Sequence, residues 1–193
     1  MFRISETILK TGQFEVMKPW YRRALGVDIF FQHDPDPGSC AGNFGGQTRA
    51  TDLRMCFFRL STDFPFTQMI GIFEEPGTST TAVKTAPGLH HMQLMSPDFA
   101  GLISKYESLA AAGLRPHRSA NHGVMSSFYY RDPDGNNVEF TAQNFPDLQS
   151  MSSFMQGPYF RKNPSGIEIS DPDEFVARFH AGVPVAELTR LGN

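Results

Sequence analysis

Residues 121–140 read NHGVMSSFYYRDPDGNNVEF, and this stretch decides the fold. Two strand-like runs, SSFYYRD (126–132) and NNVEFTA (136–142), lie on either side of DPDG, whose Asp and Gly suit the dihedrals of a tight turn. The segment is therefore predicted to be a β-hairpin. Along its second arm Val138 and Phe140 fall on one face and Asn137, Glu139 and Thr141 on the other, because side chains alternate along a strand. A carboxylate among aromatics is not expected to be buried alone, since an unpaired buried charge is costly. Either a salt bridge or solvent at a sheet edge satisfies Glu139, or it shares a metal ion with other ligands.

Upstream, GLHHMQL (88–94) reads as a further short strand. Alternation places His91 with Gln93 on the polar face, and His90 with Met92 and Leu94 on the face expected to pack under a helix. Laid over itself, the chain pairs Glu6-Thr7-Ile8-Leu9 with His91-Met92-Gln93-Leu94 at an offset of 85 residues. The same offset matches Phe14 with Phe99, Met17 with Leu102 and Tyr21 with Tyr106, all at helical spacing, and a glycine stops each helix, Gly26 and Gly113. Three strands follow the first helix, in VDIFFQ, LRMCFFRL and QMIGIFE. Three follow the second if the segment before Asn121 contributes one. Each half thus reads βαβββ, and the fold class is α+β.

The first module is expected over residues 1–76, with a Gly-, Pro- and Asp-rich insertion at about 33–52 that is either a surface excursion or a lid. A linker at 77–87 leads to the second module at 88–145. A C-terminal extension at 146–193 carries a helix capped by Asp171, with Pro172 in its first turn and Gly182 at its end.

Composition narrows the function classes. The chain has 193 residues, 40% of them hydrophobic, and a formal net charge of −3, which offers no basic footprint for nucleic acid. Its start lacks the pattern of a signal peptide and no apolar run is long enough to span a bilayer, so a cytoplasmic protein without membrane association is expected. Cys40 and Cys56 read as free thiols. Eighteen Phe and nine Met hint at an apolar cavity as well as a core.

The repeat, WYRRALG (20–26), GLHHMQL, the 121–140 segment and the tail KNPSGIEI followed by DPDEFVARFHAGVP together resemble the vicinal oxygen chelate superfamily of glyoxalases, bleomycin-resistance proteins and extradiol dioxygenases. The resemblance is greatest to its small two-module, extradiol-dioxygenase-like branch. It implies that the paired modules form a half-open barrel around a divalent metal, with ligand positions at Glu6, Gly71, His91 and Glu139. In ring-cleaving members the filled positions are His, His and Glu around Fe(II). This chain departs from that pattern: Glu6 stands where the branch has His, and Thr67-Gln68 where relatives carry a histidine pair.

Glu6, His91 and Glu139 are accordingly the expected metal ligands, with Fe(II) the expected ion and Mn(II) or Mg(II) compatible with a carboxylate-rich set. The resemblance also makes Tyr129 the hydrogen-bond partner of a metal-bound substrate oxygen. His122 is a candidate acid or base, since an imidazole exchanges protons near neutral pH. A core tyrosine and a capping loop histidine are the plainer alternatives. His33, His117 and His180 receive no role. The implied activity is extradiol-type ring cleavage of a catechol-like or enolisable oxygenated small molecule, an aromatic substrate by preference, in a homodimer. A Glu, His, Glu set also suits a non-redox Lewis-acid isomerase, lyase or cyclase. Without Glu6 as a ligand, a metal-free small-molecule binding protein becomes the third reading.

Overall fold

The computed structural model describes residues 3–35, 43–44, 47–48, 52–75, 77–78 and 88–191. The chain divides into two compact units. The first comprises residues 1–87 with the turn Asp132–Gly135, and the second comprises 88–131 with 136–193.

In the first unit β1 (Glu6–Thr11) is followed by α1 (Phe14–Leu25), β2 (Ile29–His33), the two-residue strands β3 (Asn43–Phe44) and β4 (Gln47–Thr48), β5 (Arg54–Ser61) and β6 (Gln68–Glu74). The main sheet has the order β1-β6-β5-β2, with β1 and β6 parallel and the other pairs antiparallel. Phe14, Met17, Trp20, Tyr21 and Ala24 recur at three- and four-residue intervals and are all buried where α1 packs on β5 and β6. Opposite them Cys56, Phe58, Ile70 and Ile72 are buried too. Each large side chain there contributes about 1.5–3 kcal/mol by leaving water. Gly26 ends α1 at φ 72°, a left-handed cap that a side chain would strain. The DPDG turn belongs to this unit: Tyr21 Oη donates to Asp132 at 2.9 Å, and Gln13 Nε2 donates to Asp134 at 2.6 Å.

The second unit repeats the plan. It contains β7 (Met92–Met95), α2 (Phe99–Ala111), β8 (Arg118–Asn121), β9 (Met125–Arg131) and β10 (Asn137–Gln143), with β7 parallel to β10 and the order β8-β9-β10-β7. Register confirms the 85-residue offset between the leading strands, since Thr7 faces Ile70 in one sheet as Met92 faces Val138 in the other. Phe99, Leu102, Ile103, Tyr106 and Leu109 form the buried stripe of α2. Asp98 caps that helix by accepting from the Gly101 N–H at 2.7 Å.

Three expectations need correction. The strand of GLHHMQL starts at Met92, so both histidines sit in the segment just before it. His90 is exposed rather than packed under the helix, because the chain there is not yet held to strict alternation by pairing. The extension holds more than one helix: α3 (Leu148–Gln156), α4 (Pro158–Lys162), β11 (Ile167–Glu168), α5 (Pro172–His180) and α6 (Val185–Leu188). β11 adds a fifth strand to the second sheet, antiparallel to β8. Asp171, Pro172 and Gly182 act at α5 as their types dictate, with Asp171 accepting from Glu174 N at 2.9 Å and Gly182 at φ 81°. Within the insertion, β3 and β4 pair as a short hairpin, and the rest of residues 36–51 lies outside the described residues, Cys40 included. Cys56 is free and buried.

Candidate active site

The chemistry-bearing side chains of the second unit gather on the sheet face turned away from α2. Strand register puts Gln93 opposite Glu139, Glu139 opposite Tyr129 and Tyr129 opposite Arg118, a single row across four strands. The helix-facing side of the same strands holds Val138, Phe140, Phe128 and Tyr130, all buried. Alternation alone separates the two sets.

Glu139 is only 1% exposed, and its salt-bridge partner is a histidine rather than a Lys or Arg: His91 Nε2 lies 3.3 Å from Oε2. His91 Nδ1 is 2.7 Å from Nδ1 of His90, so the neighbouring ring steadies it. Tyr129, 8% exposed, places its hydroxyl 2.8 Å from His122 Nε2, while His122 Nδ1 lies 2.8 Å from the Ser165 carbonyl oxygen. Burial pushes the Tyr129 phenol well above its ordinary pKa, and the Glu139 carboxylate adds to the shift as a nearby acceptor for its proton and by its charge. Tyr129 is therefore a hydrogen-bond donor at neutral pH, not a phenolate.

Arg118 feels the Glu139 charge but commits its guanidinium to Glu168, with Nη2 2.7 Å and Nε 3.0 Å from Oε1, and lies 5.0 Å from the Tyr129 ring centroid. His117 Nε2 sits 3.1 Å from Asn137 Oδ1, and burial lowers its pKa. Beneath the row Ser127 Oγ donates to Thr141 Oγ1 at 3.0 Å.

The second unit therefore brings together four residues singled out from sequence: His91, Glu139, Tyr129 and His122. Glu6 belongs to the first unit, where it is exposed at the head of β1 in the strand position equivalent to His91. Gly71 takes the position equivalent to Glu139, and a side chain there would lie 2.6 Å from Ile8 Cδ1 and 2.9 Å from Phe57 Cε1. Among the described residues no group of three or more His, Cys, Asp and Glu side chains is gathered around one point. A buried carboxylate beside an imidazole nevertheless fits a divalent cation, which would balance the charge and accept one oxygen and one nitrogen donor.

Sequence reading missed Arg118, Glu168, Ser165 and Gly166. The Pro-Ser-Gly run within KNPSGIEI was the available signal, since Gly in such a context marks a turn with a positive φ. A separate cavity of about 450 Å³ under α3 and α6, lined by Phe145, Phe154, Tyr159 and Leu191, touches none of the residues singled out.

The fold and these positions define a class. The chain belongs to the glyoxalase/bleomycin resistance protein/dioxygenase superfamily, whose family model matches residues 3–140. Two curated relatives come from Rhodococcus globerulus. Biphenyl-2,3-diol 1,2-dioxygenase 3 is 30% identical over 188 residues, covering 97% of this chain and 87% of the relative. Biphenyl-2,3-diol 1,2-dioxygenase 2 is 27% identical over 187 residues, covering 97% and 86%. Among solved structures, a glyoxylase/bleomycin resistance protein/dioxygenase domain from Frankia sp. EAN1pec shares the fold at TM-score 0.56 and 19% identity, covering 74% of this chain and 98% of that one. Leishmania major glyoxalase I does so at TM-score 0.53 and 13% identity, covering 81% and 96%. Among the described residues no helix is long and apolar enough to cross a membrane.

Proposed function

We propose that the chain is a metal-dependent extradiol-type dioxygenase that cleaves a catechol-like ring. The observation that carries this reading is the buried Glu139 carboxylate with His91 beside it, on a sheet face where the protonated Tyr129 hydroxyl meets His122. Two relatives aligned over nearly the whole chain and named as biphenyl-2,3-diol dioxygenases support the substrate class. His91 and Glu139 would hold the ion with Glu6 as third ligand, Fe(II) for this reaction. When bound, the ion supplies the open positions at which a diol and O₂ meet.

The chain's own residues do the rest. The substrate's vicinal hydroxyls approach Tyr129 Oη, which remains protonated and donates its hydrogen bond to the oxygen that becomes negative. His122 Nε2, 2.8 Å from that hydroxyl, receives the proton that the diol gives up. The low exposure of Glu139 and Tyr129 keeps competing water from both groups.

Oxygen uptake by the Fe(II)-loaded chain over a panel of catechols, followed by the appearance of a yellow ring-opened product, tests the reading. Uptake stoichiometric with diol loss is expected. Turnover of an enolisable substrate without oxygen uptake would replace it with Lewis-acid isomerisation.

A further inference from the structure

We propose that the turn of residues 163–168 in the C-terminal extension is a positioning element of this site: through the Ser165 carbonyl it holds His122 with its proton on Nδ1 and Nε2 bare toward Tyr129. The argument starts from one contact. A carbonyl oxygen only accepts, and His122 Nδ1 lies 2.8 Å from that of Ser165, so Nδ1 carries the hydrogen. A neutral imidazole has one N–H, which leaves Nε2 an acceptor that faces the Tyr129 hydroxyl at 2.8 Å and draws its single proton away from the Glu139 carboxylate. The direction of the Tyr129 proton is thus set by a residue 36 positions downstream in another part of the sequence.

Several local features hold the Ser165 carbonyl in place. β11 pairs with β8, setting Ile167 opposite Asn121 and Glu168 opposite Ala120, and Ile169 N–H donates to Ser119 O at 2.8 Å. The paired bonds from Arg118 to Glu168 fasten the same edge. Asn163 closes the turn by donating from Nδ2 to Gly166 O at 3.0 Å. Gly166 has φ 72°, and a Cβ there would collide with the Asn121 carbonyl oxygen and stand 2.6 Å from His122 Cα. Only glycine allows both the dihedral and the approach. On the other side of His122, Asn121 Nδ2 donates to Thr189 O at 2.8 Å, which ties the segment flanking the histidine to the extension, and Asn121 Oδ1 accepts from Gly123 N at 2.8 Å, which braces it locally.

The catalytic consequence rests on the reaction proposed above; the tautomer does not. When a diol hydroxyl passes its proton to Tyr129 Oη, the Tyr129 proton moves to His122 Nε2, and the imidazolium so formed keeps its Nδ1–H on Ser165 O. One proton enters the relay and one is stored. With the proton on Nε2 instead, His122 could not accept and the relay would be blocked.

Nitrogen NMR of the ¹⁵N-histidine-labelled full chain, with His122 assigned by loss of its signals in His122→Asn, reads the tautomer of the neutral ring directly. The expected result is Nδ1 protonated and Nε2 bare; a wild-type ring protonated on Nε2 overturns the proposal without any variant. Gly166→Ala should populate the Nε2–H form and lower kcat by about 100-fold with KM nearly unchanged. Glu168→Ala, which loosens the same edge at an exposed position, should do both to a smaller degree should Gly166→Ala not fold. A folded Gly166→Ala, or Glu168→Ala in its place, that leaves His122 in the Nδ1–H form with kcat intact contradicts the proposal. If no catechol is turned over but the tautomer responds as stated, the dioxygenase reading fails and the positioning role stands.

Discussion

Four strands of each sheet follow the same order, β1-β6-β5-β2 and β7-β10-β9-β8, yet their equivalent rows carry opposite chemistry. Across the second sheet the row reads Gln93, Glu139, Tyr129, Arg118; across the first it reads Ile8, Gly71, Phe57, Phe31. Ile8 and Phe57 close over Gly71 so tightly that even a Cβ would meet both, which removes the room a last-strand ligand would need. Phe31 and Phe73 lie against Phe57, with ring centroids 6.0 and 5.7 Å away. One copy of a duplicated frame thus holds charge and protons while the other has become an aromatic wall. The frame needs only its helix-facing stripe to fold, so the opposite face is free to diverge.

That contrast breaks first at the charged end of the second row. Glu139→Gln keeps the shape of the side chain but removes its charge, and should lower turnover by at least about 100-fold, measured by oxygen uptake at saturating diol. Tyr129→Phe comes next, with kcat reduced by about 10–100-fold while bound metal is unchanged, because only the hydrogen-bonding hydroxyl is lost. Glu6→Gln should weaken metal binding by about tenfold, less than the change at Glu139, since Glu6 is exposed. On the apolar row Gly71→Ala should cost about 1–3 kcal/mol by overpacking against Ile8 and Phe57, read from the urea midpoint, with the kcat of the folded fraction preserved.

A further prediction probes the dry side of the first sheet. Burial under α1 pushes the Cys56 thiol from 9.0 up to about 11. An unfolded chain loses this proton near pH 9 while the folded chain keeps it, so the folded state binds more protons in that window. Stability from this group is fully present below pH 9 and is lost as pH rises toward 11, by on the order of 2 kcal/mol. Urea unfolding at pH 8 and pH 10.5 should show a shallower decline in Cys56→Ala than in wild type.

Much of this was legible in the residues. The hairpin around DPDG, the 85-residue repeat and the two buried helix stripes follow from periodicity and turn chemistry, which are local and therefore readable. Glu139 and Tyr129 were separable from their neighbours because alternation sorts a paired strand into faces. His90 was misplaced because it lies two residues before Met92, where pairing begins and alternation takes hold. The extension resisted reading: β11 is two residues long, and its use lies in contacts made across 43 to 50 residues, Ser165 with His122 and Glu168 with Arg118. No sequence window spans such pairs. The closure of Ile8 and Phe57 over Gly71 was hidden likewise, because the absence of a side chain carries no pattern.

Calorimetric titration of the apo chain with Fe(II) under anaerobic conditions, repeated with Glu139→Gln and with Phe57→Leu, tests the central claim most directly. On this account wild type and Phe57→Leu each bind about one ion per chain with similar affinity, and Glu139→Gln binds at least about 100-fold more weakly. Equal binding by wild type and Glu139→Gln would contradict it, and would move the chemistry off the row that begins at Gln93.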